Sequence, residues 1–297
     1  MITRALVLGG GGPVGIAWEA GLLAGFSQAG LDLSQADFIV GTSAGSVVGA
    51  QVAMGGSITA LADAIASEDP EHPPPSPSRS LGSGPPDLSV LIQKMHKAAS
   101  STDPPEQVRA ELGAFALQAK TMSEDAFVTS FAPAIRDYPE GFWPDRFACT
   151  AVDTADGSFM LWNRDSHVGL ARAVASSCCV PGIYPPVTIN GRRYMDGGMK
   201  SAINADVAKG YNVVFVVAPT GTMAAPGMEG FRRRIEAELE IVRASGSRLE
   251  FIAPDAASME SFGLNLMDYR RRPAAAKAGL NQGRADAARL CGAWQPL

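Results

Sequence analysis

The start of the chain repeats one local pattern: a short apolar segment, a glycine-rich turn and a helical segment. Residues 5–8 read Ala-Leu-Val-Leu and lead into four glycines at 9–12, and residues 38–40 read Phe-Ile-Val and lead into the turn at 41–45. Apolar residues then recur at helical spacing from Ile16 onwards, and residues 46–54 form a second helical segment. This alternation predicts an α/β fold in which helices flank a central, mainly parallel sheet.

The rest of the chain continues the alternation. Apolar segments predict further strands, at residues 147–150, 159–161, 213–217 and, as an edge strand, 249–252. Residues 187–195 predict a β-hairpin, because the Asn190-Gly191 pair at its centre is preferred in two-residue turns. Apolar residues at helical spacing from Phe231 to Val242 predict an amphipathic helix.

A proline-rich stretch at residues 68–86 interrupts this pattern. Proline lacks a backbone N–H, so we expect a long loop there, followed by a helix from Glu106. The sequence therefore predicts a single domain over residues 1–297, with a core at 1–67 and 145–297 and an inserted proline-rich and helical segment at 68–144. We interpret this segment either as a solvated insertion or as a lid whose apolar side chains line a groove, namely Leu81, Leu88, Leu91, Ile92 and Met95.

Composition excludes several classes of protein. Hydrophobic residues make up 46% of the 297 residues, which excludes a wholly disordered chain. The net charge of −5 argues against a nucleic-acid partner, because no basic stripe is present to bind phosphates. No apolar run approaches the roughly 18 residues of a transmembrane segment. The four cysteines lack metal-binding spacing, so we expect reduced thiols, no metal and a cytoplasmic location.

The turn after the second strand carries a candidate nucleophile. Residues 41–45 read Gly-Thr-Ser-Ala-Gly and match the pattern G-x-S-x-G between a strand and a helix. In such a turn the serine, here Ser43, has a strained backbone, and Gly41 and Gly45 leave room for the sharp change of direction. The following helix also directs its positive dipole end towards the hydroxyl. The alternative is an ordinary turn with a capping serine.

Histidine is a poor candidate for the base of this serine. His72 and His96 lie in segments typical of the surface, and no histidine follows Asp196. Asp196 is itself a candidate, because it ends a predicted strand and precedes Gly197 and Gly198. A carboxylate within about 2.6–3.2 Å of a serine hydroxyl can accept its proton directly. The alternative is that Asp-Gly-Gly forms only a turn.

The glycine run after the first strand has two interpretations. Successive N–H groups of Gly10, Gly11 and Gly12 can form a nest that binds the oxyanion of an acyl-transfer intermediate. Gly10, Gly12 and Gly15 also match the dinucleotide fingerprint G-x-G-x-x-G. That fingerprint needs an acidic residue at the end of the second strand, where this chain instead enters the Ser43 turn.

Three motifs in this order resemble the patatin-like phospholipases: the glycine run at 10–15, the Ser43 turn and the Asp-Gly-Gly at 196–198. The segment 175–186, with Pro181, Pro185 and Pro186, also resembles the part of that family that precedes its Asp-Gly-Gly. The resemblance implies a three-layer α/β fold and a serine acyl hydrolase with a Ser43–Asp196 dyad. It also implies an oxyanion hole at Gly10, Gly11 and Gly12, and a lipid or acyl ester substrate with no cofactor.

The glycine run departs from the family pattern at two positions. Val14 stands where the family usually has Arg or Lys, and Gly9 stands where it often has Asp. Pro13 has no N–H and cannot be an oxyanion donor. The substrate class therefore stays open among phospholipids, lysophospholipids, neutral glycerides and other esters or thioesters, with transient contact at a membrane surface. The alternatives are an acyltransferase or thioesterase on the same dyad, a nucleotide-binding module, and an inactive relative that binds a partner.

Overall fold

A computed structural model of the chain describes residues 2–73, 86–131, 142–221 and 229–294. Eight strands form a mixed sheet: β1 (Arg4–Leu8), β2 (Phe38–Gly41), β3 (Phe147–Asp153), β4 (Phe159–Trp162), β5 (Val187–Ile189), β6 (Arg192–Asp196), β7 (Val213–Val217) and β8 (Arg248–Ile252). The strand order is β5-β6-β3-β2-β1-β7-β8, and β4 pairs with β3. The pairs among β3, β2, β1, β7 and β8 are parallel, which confirms the predicted mainly parallel sheet.

Helices cover both faces of this sheet. They are α1 (Gly12–Gln28), α2 (Ala44–Ala53), α3 (Ile58–Ala66), α4 (Ser89–Ser100), α5 (Pro105–Gln118), α6 (Glu124–Thr129), α7 (Leu170–Cys178), α8 (Glu229–Ala244), α9 (Ala256–Phe262) and α10 (Arg272–Trp294). Short 3₁₀ helices lie at Leu33–Gln35, Arg164–Ser166, Gly197–Met199, Ala205–Ala208 and Tyr269–Arg271. Within the described ranges, no helix has the length and apolar character needed to cross a bilayer.

The side chains of the central strand β1 divide between the two helical layers. Leu6 and Leu8 lie in the core that contains the side chains of α1, α2 and α10. Ala5 and Val7 lie in the second core, which contains α8 residues such as Ile235. Because strand side chains alternate between faces, a continuous apolar strand is what a sheet buried on both sides requires. The α/β fold with helices on both faces of the sheet is therefore confirmed.

Helices α1 and α10 pack with their backbones close together. A Cβ on Gly21 would lie 2.1 Å from the Ala276 carbonyl oxygen, and one on Gly279 would lie 2.3 Å from the Trp18 carbonyl oxygen. Only glycine permits this approach. The apolar spacing of residues 272–294 does not predict α10, because the contact uses small residues rather than a stripe of large ones.

The local turn chemistry of the hairpin also agrees with the sequence. Asn190 and Gly191 both have positive φ angles, of 51° and 78°, as a two-residue hairpin turn requires. Helices α4, α5 and α6 arise from the predicted insertion at 68–144. Residues 74–85 and 132–141 of that segment, including Leu81, lie outside the described residues. The division of the chain into core and insertion stays a prediction.

Candidate active site

Ser43 lies in the turn between β2 and α2. Its φ and ψ angles are 52° and −116°, a conformation that non-glycine residues seldom adopt and that is typical of a strained functional turn. The turn is packed tightly against β1. A Cβ on Gly45 would lie 2.1 Å from the Leu8 carbonyl oxygen, and one on Gly41 would lie 2.4 Å from the Gly45 carbonyl oxygen. Both glycines are therefore required by close backbone contacts.

Hydrogen bonds hold the backbone of Ser43 on both sides. Its N–H donates to Ser177 Oγ at 2.9 Å. Its carbonyl oxygen accepts from Ser46 Oγ at 2.6 Å and from Cys178 Sγ at 3.2 Å. Ser43 itself is only 7% exposed. Because these partners fix the main chain, the strained conformation is maintained by residues of α2 and α7.

Asp196 lies at the end of β6, immediately before the 3₁₀ helix Gly197–Met199, and is 2% exposed. Its Oδ1 accepts from the Gly198 N–H at 2.7 Å, while its Oδ2 is buried and has no hydrogen-bond partner among the described residues. Burial raises the pKa of Asp196 to about 7, and interactions with the Ser43 side chain and the Gly198 N–H oppose this rise. The fold thus brings Ser43 and Asp196 together.

A buried amide links the two turns that carry these residues. Asn204 Nδ2 donates to Thr42 Oγ1 at 3.0 Å, to the Gly197 carbonyl oxygen at 3.3 Å and to the Ser201 carbonyl oxygen at 2.7 Å. Thr42 Oγ1 is also 2.8 Å from Thr150 Oγ1 in β3. One side chain therefore contacts the residue before Ser43 and the residue after Asp196.

Two further residues of the site, Asn204 and Ser177, have roles that sequence patterns do not predict. Asn204 lies in no motif, and Ser177 lies in the segment 175–186 without a predicted role. Their contacts join residues that are 162 and 134 positions apart. Asn204 has a positive φ angle of 50°, a conformation that asparagine adopts more readily than most residues. This angle is a property of the folded chain, so the sequence alone does not reveal it.

The glycine loop at residues 9–12 offers fewer donors than the sequence suggests. The Gly10 N–H donates to the Ala202 carbonyl oxygen at 2.7 Å, so it is not available to an oxyanion. The Val14 N–H is likewise occupied by the Leu266 carbonyl oxygen, at 3.2 Å. The N–H groups of Gly11 and Gly12, at the start of α1, have no hydrogen-bond acceptor among the described residues. Gly11 and Gly12 therefore remain as candidate donors, and Gly10 does not.

Ser43 lines a cavity of about 60 Å³. The other lining residues are mostly apolar: Gly12, Pro13, Ile16, Ala44, Phe127, Phe131, Cys178, Val180, Tyr184, Met267 and Tyr269. A larger cavity of about 310 Å³ lies between α4, α5 and α8 and does not include Ser43. The smaller cavity contains the candidate nucleophile and is therefore the candidate substrate site.

Three of the apolar residues predicted for a lid groove, all on α4, do not line the Ser43 cavity. Leu91 is buried in a separate core with Leu112 and Met199. Met95 lines the larger cavity, and Ile92 is 47% exposed. The inserted segment contributes to the Ser43 cavity through Phe127 and Phe131 instead.

The described residues do not provide an alternative base or a metal site at Ser43. His72, His96 and His167 are exposed, and none lines the Ser43 cavity. No group of three or more His, Cys, Asp or Glu side chains in the described ranges is arranged to hold a metal ion.

The start of α1 is also a poor site for a dinucleotide. A Cβ on Gly12 would lie 2.8 Å from the Leu266 carbonyl oxygen and 2.9 Å from Met267 Sδ, so residues 266–267 occupy the space beside the helix N-terminus. The end of β2 carries Gly41 and the Ser43 turn, and no acidic residue is there to bind a ribose.

Comparison with protein families gives one match, to the model described as "Patatin-like phospholipase", over residues 6–209. No curated protein matches the chain significantly. Among solved structures, VipD from Legionella pneumophila is 13% identical with a TM-score of 0.46, over 97% of this chain and 67% of that one. The type III effector ExoU is 14% identical with a TM-score of 0.38, over 96% of this chain and 53% of that one. Both scores are too low to transfer any property.

Proposed function

The chain belongs to the patatin-like phospholipase family, and on that premise we propose that it is a serine acyl hydrolase that cleaves acyl esters of lipids with Ser43 as nucleophile and Asp196 as base. Family membership supports the general activity, a lipid hydrolase. The finer assignment rests on the residues around the cavity. The observation that carries it is the buried Oδ2 of Asp196, which has no partner while the Ser43 side chain acts on the same carboxyl group.

In the first half of the proposed reaction, Ser43 Oγ attacks the ester carbonyl carbon and its proton passes to Asp196. The carbonyl oxygen becomes an oxyanion, which the Gly11 and Gly12 N–H groups stabilise at the positive end of α1. The tetrahedral intermediate then collapses. The bond to the alcohol breaks, the alcohol takes the proton from Asp196, and the acyl group remains on Ser43.

In the second half, Asp196 accepts a proton from water as the water attacks the acyl-enzyme. Collapse of the second intermediate releases the carboxylic acid and returns the proton to Ser43. A base with a pKa of about 7 suits this cycle, because it is ionised near neutral pH and still accepts a proton readily. No histidine is needed, since the carboxyl group acts on the hydroxyl directly.

The apolar side chains around Ser43 support an acyl chain as the group that enters the cavity. Phe127, Tyr184 and Met267 present carbon surface to it, and burial of apolar surface provides affinity without a charged partner. The surroundings of Val14 agree with this, because its N–H is bonded to Leu266 and the residue is fully buried. An anionic headgroup is therefore not bound at that position.

The test uses soluble 4-nitrophenyl esters and a fluorophosphonate that labels activated serines. We expect Ser43→Ala to lose the label and to lower kcat by at least about 10³-fold. Ser258→Ala is the matched control, because Ser258 is also fully buried but contacts Trp18 and Gln282. Equal activity in Ser43→Ala and Ser258→Ala contradicts the proposal. Addition of an alcohol as a competing acceptor then separates a hydrolase from an acyltransferase.

A further inference from the structure

The segment 263–268, here called the rim loop, follows α9 and lies beyond the part of the chain that matches the family model. Its Leu264 has a relative exposure of 108%, whereas the other exposed large hydrophobic side chains range from 37% to 50%. One exposed leucine is ordinary on a protein surface. This leucine is unusual because its loop is held by hydrogen bonds and contributes residues to the Ser43 cavity.

The rim loop is fixed by hydrogen bonds at several points. Gly263 has a positive φ angle of 66°, which turns the chain after α9. Asn265 donates from Nδ2 to the Pro86 carbonyl oxygen at 3.0 Å and accepts at Oδ1 from the Met267 N–H at 2.9 Å. Leu264 is therefore exposed to solvent on a loop whose backbone is held in place by hydrogen bonds.

The same loop borders the candidate active site. Its Leu266 carbonyl oxygen accepts from the Val14 N–H, which lies in the first turn of α1. Met267 of the loop and the nearby Tyr269 line the cavity that contains Ser43. Leu264 therefore belongs to the same short loop that contributes to this cavity, without lining the cavity itself.

Two arginines follow the rim loop in the sequence, and one of them packs against Gly263. A Cβ on Gly263 would be 3.0 Å from Arg271 Nε, so the Arg271 guanidinium packs against the residue before Leu264. Arg270 has a 58% exposed side chain and pairs with Asp268 at 2.8 Å. Glu71 also acts on Arg270 through its charge. The positive charges here are balanced by Asp268 and Glu71, so binding by this loop must depend mainly on its apolar side chain.

From these observations we propose that the rim loop docks the protein on a phospholipid bilayer, with Leu264 entering the interfacial region and Arg270 and Arg271 at the level of the headgroups. This rests on the proposed function, because only a lipid hydrolase needs to reach substrate held in a bilayer. A second copy of the chain is less well supported than a bilayer as the binding partner of the rim loop. A stable protein interface needs about 800 Å² on each partner with matching shape, whereas a bilayer accepts one leucine without a complementary surface.

The test compares wild type with Leu264→Ser and with Ile241→Ser, a control in which a 47% exposed side chain of α8 is changed. Flotation with phosphatidylcholine vesicles, with and without phosphatidylserine, measures binding, and hydrolysis of vesicle lipid measures activity there. Loss of one inserted leucine lowers binding and vesicle hydrolysis by about tenfold. Turnover of a soluble 4-nitrophenyl ester stays within about twofold of wild type, and Ile241→Ser changes neither.

Three results overturn the inference: wild type that does not float with either vesicle, equal flotation of Leu264→Ser and wild type, or a dimer in sedimentation that Leu264→Ser dissociates. Strong binding only with phosphatidylserine overturns the apolar role assigned to Leu264. Absence of soluble ester turnover in wild type contradicts the proposed function instead, and flotation still decides the docking surface in that case.

Discussion

Two of the buried carboxyl groups in the described residues lie in different surroundings, one at the end of a strand and one inside a helical layer. Asp196 ends β6 and is 2% exposed, and Glu19 lies in α1 and is 0% exposed. Burial raises the pKa of both groups above the ordinary value. Their partners differ. Asp196 accepts from Gly198 and interacts with the Ser43 side chain, whereas neither carboxyl oxygen of Glu19 has a hydrogen-bond partner among the described residues.

The difference shows what a raised pKa can and cannot identify. Desolvation acts on any buried carboxyl group, so it marks both Asp196 and Glu19. A catalytic base also needs the proton that it accepts within reach and a group that orients it. Of the two groups, Asp196 interacts with the Ser43 side chain and accepts from the Gly198 N–H, which is the basis for proposing it as the base. Glu19 lies near Gly9, whose N–H is already donated to the Val217 carbonyl oxygen, and contacts no candidate nucleophile.

The sharpest test of this comparison removes the charge from each carboxyl group. We expect Asp196→Asn to lower kcat on a soluble ester by about 10³-fold, because an amide cannot accept the Ser43 proton. Glu19→Gln should change kcat by less than about threefold, because Glu19 contacts no candidate nucleophile and its burial favours the neutral form of the carboxyl group, which an amide resembles. Initial rates on folded protein, checked by circular dichroism, measure both. Similar losses in the two variants contradict the distinction.

The second prediction concerns the Asn204 amide, which joins the turns that carry Ser43 and Asp196. We expect Asn204→Gly to lower kcat by about ten- to a hundredfold with little change in KM, because misplaced catalytic groups slow the chemical step. Glycine tolerates the positive φ angle at this position, so the variant removes the amide and keeps the backbone conformation. Slower fluorophosphonate labelling of Ser43 should accompany the loss. A change in KM alone argues against a positioning role.

The third prediction is the pH dependence of kcat/KM. Asp196 must be ionised to accept a proton, and its pKa is about 7 in the folded protein. Activity should therefore fall about tenfold for each pH unit below pH 7 and level off above it. Glu19→Gln should keep this profile. A profile that is flat between pH 5 and pH 8 is inconsistent with Asp196 as the base.

The last prediction concerns stability, where the two carboxyl groups should behave alike. The pKa of Asp196 rises from 3.8 to about 7 on folding, so the folded state binds this proton more tightly than the unfolded state. The stability present below pH 4 is then lost as the pH rises to about 7, by at most about 4 kcal/mol. Glu19 is shifted in the same direction.

Both Asp196→Asn and Glu19→Gln should therefore have a higher free energy of unfolding than wild type at pH 8, and a similar one at pH 4. Urea denaturation at the two pH values measures this. A variant that gains nothing at pH 8 shows that its carboxyl group is not desolvated.

The sequence predicts those parts of the molecule whose cause is local. Strands β1 and β2 are continuous apolar segments, and the turn at Asn190-Gly191 depends on two residues. Ser43 and Asp196 are recognisable because each lies in a short glycine-rich turn. The predicted donor role of Gly10 depends on more than local sequence, because its N–H donates to the carbonyl oxygen of Ala202, far along the chain. Local spacing contains no information about that contact.

Long-range polar contacts and small-residue packing account for most of what the sequence does not predict. Asn204 donates to Thr42 across 162 positions, and no sequence pattern marks Asn204. Helix α10 packs on α1 through glycines, so it lacks the apolar periodicity by which α8 is predicted. The cavity contains residues from several distant segments, and Phe127 and Tyr184 meet there only after folding.

The central position of β1 has a consequence for the length of chain that can fold alone. The stretch that resembles the family stops at residue 209, whereas β7, which pairs with the free side of β1, begins at Val213. A fragment that ends at residue 209 would leave β1 as an edge strand with unpaired N–H and C=O groups, which favours aggregation. It would also lack α10, which packs against the glycines of α1. The segment that matches the family model is therefore shorter than the segment needed to fold independently.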